Sequence, residues 1–194
     1  DRWIISLLNS LIKEVDESYN DYEPTRAGRA IANFVNDHLS NWYVRLNRKR
    51  FWGGTLTEDK LAAYQTLYTC LDTISRLMAP ISPFYADGLF LDLNSATGCD
   101  GSESVHLSDF PKADESLIDK VLEERMQLAQ DISSMTLSLR KKENIKVRQP
   151  LQQIMVPVLS EREKENIDAV KDLIMNEVNV KGINFVDDSA GILV

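Results

Sequence analysis

The sequence predicts a mainly α-helical protein, an antiparallel helical bundle with a small strand-helix-strand appendage at its carboxyl end. Apolar residues recur at intervals of three and four through most of the first 145 residues, the period of a helix that buries one face. Short connections separate these stretches and favour antiparallel neighbours. Beyond residue 150 apolar residues alternate instead, which indicates a strand. We therefore divide the chain into a bundle over residues 1–145 and a small α/β junction subdomain over residues 146–194.

Two helices are predicted in the first third of the chain. The first covers about residues 1–20 and ends at the turn Asp21–Pro24. Thr25 is expected to cap the second, which continues until Gly53 and Gly54 terminate it. The predicted core stripe of this second helix is Ala27, Ile31, Phe34, Val35, Leu39, Trp42 and Leu46.

Three further helices complete the predicted bundle. Thr57 is expected to cap the third, which Ala79–Pro80 stops, and a fourth, shorter one begins near Pro83. Residues 94–111 are rich in Gly, Ser, Thr and Asp and are predicted to be a surface connection. Asp114 then caps a long helix over about residues 115–143. The apolar positions assigned to the fourth and fifth helices are Phe84, Leu89, Leu91, Leu93, Ile118, Val121, Leu122, Leu128, Ile132, Met135 and Leu139.

The appendage is predicted because the spacing of apolar residues changes from three and four to two after residue 150. Ile154, Val156 and Val158 alternate as a strand, and Pro157 favours an edge position because it lacks a ladder donor. A capping box, Ser160-x-x-Glu163, begins a helix, and a second strand follows around Val180–Val186. The apolar residues of that helix are Ile167, Val170, Ile174 and Val178.

Composition limits the possible functions. The net charge of −8 argues against a protein that coats nucleic acid nonspecifically, so any contact with RNA must be local. No apolar run approaches a membrane span, and we expect no membrane partner. Cys70 and Cys99 have no zinc-ligand spacing, Cys70 is expected to be a buried thiol, and a reducing cytoplasm fits. The chain begins at Asp1 rather than Met, and we expect it to be a piece of a longer protein.

Two segments concentrate positive charge. Residues 42–52 hold four cations and four aromatic rings and carry +4, residues 140–148 also carry +4, and the remainder carries −16. On a continuous helix, Leu39, Trp42, Tyr43 and Leu46 share one face, which we interpret as core. A second face, about 120° away, carries the polar and basic side chains. Its members are His38, Asn41, Arg45, Arg48, Lys49 and Trp52.

No group of residues in this sequence has the arrangement of a known catalytic site. His38 and His106 lie far apart in sequence, and neither has a Cys or Ser in a nucleophile-like context. The pair Asp187–Asp188 is interpreted as solvated carboxylates. Gly53–Gly54 lacks the Lys and Ser or Thr of a phosphate-binding loop. We assign no catalytic residue, metal ligand or cofactor to this chain.

Several segments together resemble a known family. They are Leu39-Ser-Asn-Trp-Tyr-Val-Arg45, Arg48-Lys-Arg-Phe-Trp52, Met78-Ala-Pro-Ile-Ser-Pro-Phe84, Glu103-Ser-Val-His-Leu-Ser-Asp-Phe-Pro111 and Lys146-Val-Arg-Gln-Pro-Leu151. In this order they resemble the helical anticodon-binding domain of class I aminoacyl-tRNA synthetases, most closely the isoleucyl branch. Valyl and leucyl enzymes share the bundle and the Pro-x-x-Pro-Phe joint, and they remain the alternatives within the family.

The resemblance implies a part in charging tRNA. The parent enzyme would attach isoleucine to its tRNA using ATP with Mg²⁺, while this chain lacks the His-x-Gly-His and Lys-Met-Ser-Lys-Ser motifs of the chemistry. The expected partners are an isoleucine-accepting tRNA and the catalytic and editing domains of the parent chain. The candidate RNA-binding residues are Arg45, Arg48, Lys49, Arg50, Trp52, Arg140, Lys141, Lys142, Lys146 and Arg148.

Two alternatives remain for the basic residues. Those near residue 140 could instead interact with the negative end of the long helix dipole. The basic face of the second helix could dock on an acidic surface of the parent protein, which would make the chain a helical protein-interaction module without RNA binding. Arg2, Arg26 and Arg29 are weaker candidates, expected to be solvated or ion-paired.

Overall fold

A computed structural model describes residues 1–187 of the chain, which are mainly helical with one small parallel sheet. The predicted fold class is confirmed. The helices are α1 (Arg2–Asn20), α2 (Pro24–Asn33), α3 (Arg48–Trp52), α4 (Glu58–Met78), α5 (Pro83–Thr97), α6 (Lys120–Lys142), α7 (Glu161–Asp168) and α8 (Lys171–Val178). The other elements are a π-helical segment (Phe34–Val44), two short 3₁₀ turns (Val105–Leu107 and Glu115–Leu117) and the strands β1 (Ile154–Val158) and β2 (Ile183–Asp187).

Residue contacts divide the chain into two compact units. Unit 1 is Asp1–Asp119, and unit 2 begins at Lys120. The long helix α6 packs with α7 and α8 and so belongs to unit 2. The division at 145/146 that the sequence suggests stays a prediction about domains.

The core of unit 1 is built around α1, which has the predicted bounds. Ile4, Leu8 and Val15 are almost completely buried on one face of this helix. At its carboxyl end the Tyr19 hydroxyl donates to the carbonyl of Leu77 at 2.8 Å, which ties α1 to the end of α4. Cys70 is also fully buried, as predicted, and burial raises the pKa of its thiol to about 12.

The structure confirms only some of the predicted N-terminal helix caps. Thr57 caps α4 as predicted, because its hydroxyl accepts from the Lys60 amide at 3.2 Å. The prediction of a Thr25 cap is wrong, since α2 already begins at Pro24, whose fixed φ suits a first helical position. Asp114 caps the turn Glu115–Leu117 rather than α6.

The second predicted helix is not one regular α-helix. After α2 the chain continues as the π-helical segment, in which the buried side chains Phe34 and Leu39 are five residues apart. This spacing matches the i→i+5 turn of a π-helix, and the Arg45 amide donates to Ser40, five residues back. The helix then breaks at Asn47, and α3 starts a new turn. The prediction of one continuous helix with faces spaced at 100° per residue is therefore wrong.

The buried face of α5 differs from the prediction. Ala86 and Phe90 are buried, while Phe84 is 92% exposed and Leu91 is 41% exposed. The Phe90 ring lies 5.1 Å below the Arg76 guanidinium and packs with Ala79 and Val105.

An ion-pair network joins α4 to the segment that follows α5. Arg76 donates to Asp72 at 3.0 Å and to Asp100 at 2.8 Å, and the Ser102 amide donates to Asp100 at 2.8 Å. The Arg76 guanidinium and the Ser102 donors hold the pKa of the Asp100 carboxyl at about 2. This network fixes residues 98–102 on unit 1.

Asp100 is expected to make unit 1 acid-sensitive in a defined window. Because its folded pKa is depressed, its contribution to stability is full above the unfolded carboxyl pKa of about 4 and is lost as pH falls toward about 2. Asp100→Asn should remove part of the decline in the unfolding temperature between pH 4 and 2. Asp92→Asn, at an exposed position of α5, is the control, and equal pH profiles for the two variants would contradict the assignment.

Unit 2 contains α6 and the appendage, whose helices α7 and α8 pack against α6. Strands β1 and β2 pair in parallel, with Ile154 opposite Ile183, and Val156 and Val158 are buried. The second strand begins three residues later than predicted. Ser160 caps α7, since its hydroxyl accepts from the Glu163 amide at 3.2 Å, which confirms this helix start.

The other apolar predictions for unit 2 are mixed. The predicted single helix is divided near Val170 into α7 and α8. On α6 Ile132 is buried, but Val121, Met135 and Leu139 are about half exposed or more, contrary to the predicted stripe. Asp188 of the predicted carboxylate pair lies outside the described residues. Within residues 1–187 no helix is both long and apolar enough to cross a membrane.

Candidate nucleic-acid interface

The short helix α3 is fixed to unit 1 by two of its five residues. The Phe51 ring is buried and packs edge-to-face against Tyr43 and Tyr64, at centroid distances of 6.2 and 5.5 Å. The Tyr64 hydroxyl donates to the Phe51 carbonyl at 3.0 Å. Gly53 follows the last residue of the helix. This position favours glycine, because a Cβ there would lie only 2.9 Å from the Lys49 carbonyl oxygen.

Arg50 is the second fixed residue. Its guanidinium donates to both carboxylate oxygens of Asp1, at 2.7 and 2.8 Å, and to Asp59 at 2.9 Å. It also donates to Asn47 Oδ1 at 3.1 Å, and only 20% of its side chain is exposed. Its donors are thus engaged inside unit 1, and we leave it out of the candidate RNA surface.

The other three residues of α3 point outward. Arg48 and Lys49 are exposed, and the Trp52 ring is 73% exposed. The Arg48 guanidinium carbon lies 5.7 Å from the centroid of the Trp52 ring, in the range of a cation–π contact. We call Arg48, Lys49 and Trp52 the α3 surface.

Arg45 lies one turn before this surface. It is exposed, and its Nε donates to the carbonyl of Asn41 at 2.7 Å. The carboxylates that pair with Arg50, those of Asp1 and Asp59, lie before α1 and on α4, respectively.

The aromatic residues before the break are core, as predicted. Trp42 and Tyr43 are 8% and 2% exposed, and the Tyr43 hydroxyl donates to Asp1 at 2.7 Å. Leu46 was assigned to the same core stripe but is 37% exposed, because the π-helical segment shifts the residues that follow it. His38, placed on the basic face by the sequence, packs edge-to-face against Trp3 with centroids 6.0 Å apart.

The second basic segment surrounds the end of α6. Asn144 has a φ of +56°, the Ile145 amide donates to the Arg140 carbonyl at 2.8 Å, and the Asn144 amide donates to Lys141 at 3.2 Å. This is the Schellman arrangement that ends helices at a left-handed residue. It leaves the cations around it exposed, namely Lys141, Lys142, Lys146 and Arg148. We call these four the α6 surface.

Arg140 does not belong to the α6 surface. It is 3% exposed, and its guanidinium donates to the carbonyls of Lys146, Gln149 and Asn179 at 3.2, 3.0 and 3.0 Å. These bonds hold the segment after α6 and the residue that ends α8 together. Its position supports a structural role in unit 2 instead of an RNA contact.

The structure thus separates the ten sequence-predicted residues into three groups. The α3 surface and Arg45 belong to unit 1, the α6 surface belongs to unit 2, and Arg50 and Arg140 are held inside their units. Sequence reasoning missed Asp1 and Asp59 as the partners of Arg50, although Asp59 lies just after the basic segment. Asn144 was the available sign of the helix end, because Asn is one of the few residues that adopt a left-handed conformation.

The chain is similar to a known family and to known proteins. The family described as the anticodon-binding domain of tRNA ligases matches residues 1–156. The chain is 70% identical over 194 residues to an isoleucine–tRNA ligase of Bacteroides thetaiotaomicron, and 62% identical over 194 residues to one of Porphyromonas gingivalis. These matches include the whole chain but only 17% of each relative, so the chain spans about a sixth of their length.

Proposed function

The chain belongs to the family of anticodon-binding domains of tRNA ligases, and from this we propose that it is the tRNA-recognition module of an isoleucine–tRNA ligase. The parent enzyme would attach isoleucine to its tRNA with ATP and Mg²⁺, through catalytic and editing domains outside these 194 residues. Such an enzyme would act in the cytoplasm. Isoleucine rather than valine or leucine is favoured by the names of the relatives.

The observation that best supports RNA binding is the α3 surface. Proteins that recognise unpaired RNA stack bases on exposed aromatic rings and neutralise the nearby phosphates with cations. Trp52 offers an exposed ring of this kind, with Arg48 against it and Lys49 beside it. We propose that an unpaired base of the tRNA stacks on Trp52, while Arg45, Arg48 and Lys49 contact phosphates or base edges.

The α6 surface is a second candidate contact. Lys141, Lys142, Lys146 and Arg148 are exposed cations within eight residues, and we propose that they contact tRNA phosphates. A positive charge near the carboxyl end of a helix also interacts favourably with the helix dipole, by about 0.3–1 kcal/mol. The two roles are compatible, because a side chain that points to solvent at a helix end can still reach a phosphate.

Salt dependence tests the cationic contacts. Replacing Arg45, Arg48 and Lys49 together with Ala in the parent protein is expected to weaken tRNA binding. It should also reduce the slope of log affinity against log salt by about 2, because each lost phosphate contact contributes about 0.7–0.9. The measurement is a tRNA titration at several salt concentrations.

A matched variant controls for the change in net charge. Lys120, Lys164 and Lys171 each pair with an acidic residue three positions away, and replacing all three with Ala removes the same charge. This variant should leave the slope almost unchanged. Equal slopes for both variants and the unaltered protein would reassign the basic face to protein contacts. Comparing isoleucine, valine and leucine tRNAs would separate the members of the family.

A stacking role for Trp52 predicts a graded effect. Trp52→Ala should weaken tRNA binding by about 1–3 kcal/mol, because stacking of a base on an aromatic side chain contributes this much. Trp52→Phe should keep most of the affinity, and neither variant should change the salt slope by a full unit. Equal losses for Ala and Phe would contradict stacking, since Phe retains a flat ring.

A further inference from the structure

A groove of about 300 Å³ opens in unit 1 between α2 with the π-helical segment and the joint that connects α4 to α5. Ile31 and Val35 line one side, and Ile81, Tyr85 and Leu89 line the other. None of its lining residues is charged. The groove is therefore suited to apolar side chains, and its lining offers no cation to a phosphate.

Three large apolar side chains that line this groove or neighbour it in the chain are exposed. Phe84 is 92% exposed, Tyr85 is 65% exposed and Ile81 is 44% exposed, all within five residues. The local fold does not explain them, since Ala86 and Phe90 provide the buried side of α5. Contiguous exposed apolar surface of this kind marks interaction sites in soluble proteins.

We propose that this groove, together with Phe84, the chain neighbour of its lining residue Tyr85, receives apolar side chains from a part of the parent chain outside these 194 residues. The chain spans 17% of the length of its relatives, so most of the parent polypeptide is available to cover it. A groove of this size holds one or two large side chains, the usual form of an anchor at a protein interface. The proposal rests on the chain being part of a longer protein and is independent of RNA binding.

Photo-cross-linking in the full-length parent tests the occupant. The photoreactive analogue p-benzoylphenylalanine is placed at position 85, where Tyr85 lines the groove and is 65% exposed, and after irradiation the linked peptides are identified by mass spectrometry. We expect a link within one molecule to a peptide outside the 194 residues. The same analogue at position 107, where Leu107 is 72% exposed and does not line the groove, gives the background.

Every other result overturns the proposal. Links to a second copy, seen as a doubled mass, would make the groove a dimer contact, and links to added tRNA would make it an RNA contact. Links confined to the 194 residues, or a yield no higher than at position 107, would show that no other part of the parent covers it.

Two substitutions give an independent measurement. Phe84→Glu and Ala32→Glu each add a charge at an exposed helical position beside or within the groove, where the local fold tolerates it. In the full-length parent, both should increase hydrogen exchange at the bonded amides of α5, which begin with Ala86, by about tenfold or more, as expected for loss of one buried apolar anchor. Leu107→Glu should leave that exchange unchanged. Unchanged exchange in both groove variants would contradict the proposal.

Discussion

Arg140→Met is expected to destabilise unit 2 by about 3 kcal/mol, although the sequence made Arg140 a candidate RNA-binding residue. Hydrogen bonds from a charged donor contribute about 1.5–3 kcal/mol each, and Arg140 makes three of them to backbone carbonyls. Two of these carbonyls keep a backbone partner, since Gln149 donates to Lys146 and Leu151 donates to Asn179. Relief of the buried charge offsets a further part of the loss, so the expected cost is smaller than the sum of three bonds.

Hydrogen exchange measures this loss where it occurs. The Leu151 amide donates to the Asn179 carbonyl, which Arg140 also binds, and the Lys181 amide donates to the Leu151 carbonyl beside it. Their free energy of opening in the parent protein should fall by the expected amount in Arg140→Met. Lys141→Met removes the neighbouring, exposed cation and should leave these amides protected. If both variants behaved alike, the guanidinium would not be holding this junction.

Phe90→Ala is expected to lower the stability of unit 1 by about 3–5 kcal/mol, the range for removing a buried aromatic side chain from a packed site. Phe90 is 1% exposed and packs against Ala79, Ala86 and Val105. The substitution also removes the ring beneath the Arg76 guanidinium, so residues 98–102 should loosen with it.

The matched variant for Phe90 is Leu91→Ala on the same helix. The sequence assigned Leu91 to the core, but it is 41% exposed, and its loss should cost less than about 1 kcal/mol. Chemical denaturation that reports on unit 1, for example by exchange of α4 and α5 amides, separates the two. Equal costs would mean that the buried face of α5 is assigned wrongly.

This pair shows where sequence reasoning reaches its limit. The start of α5 follows from Pro83, because proline suits the first turn of a helix. Its buried face does not follow, since apolar residues occur on several sides of this helix and the 3.6-residue period cannot choose among them. Contacts with the carboxyl end of α4 and with Val105, both more than ten residues from Phe90, decide which face of α5 is buried.

The candidate site shows the same limit for charged residues. Clustering of Arg and Lys between residues 45 and 50 was visible in the sequence, and the exposed positions of Arg48 and Lys49 agree with it. Arg50 could not be separated from its neighbours, because its principal partner Asp1 is 49 residues away. The break at Asn47 and the π-helical segment were also missed, since a strict 100° period was applied across both.

The clamp that Arg50 forms with Asp1 and Asp59 has a consequence for how this surface evolves. Loss of Arg50 leaves the carboxylates of Asp1 and Asp59 without the guanidinium they share, and loss of Asp1 leaves Arg50 with only the exposed carboxylate of Asp59. We therefore expect Arg50 and Asp1 to change together among related proteins. The ion pairs of Arg50 do not involve positions 48 and 49, so under the proposed function these two would be able to vary with the nucleotide that they contact. A lineage could thus alter which RNA it prefers without rebuilding the scaffold that presents the contact.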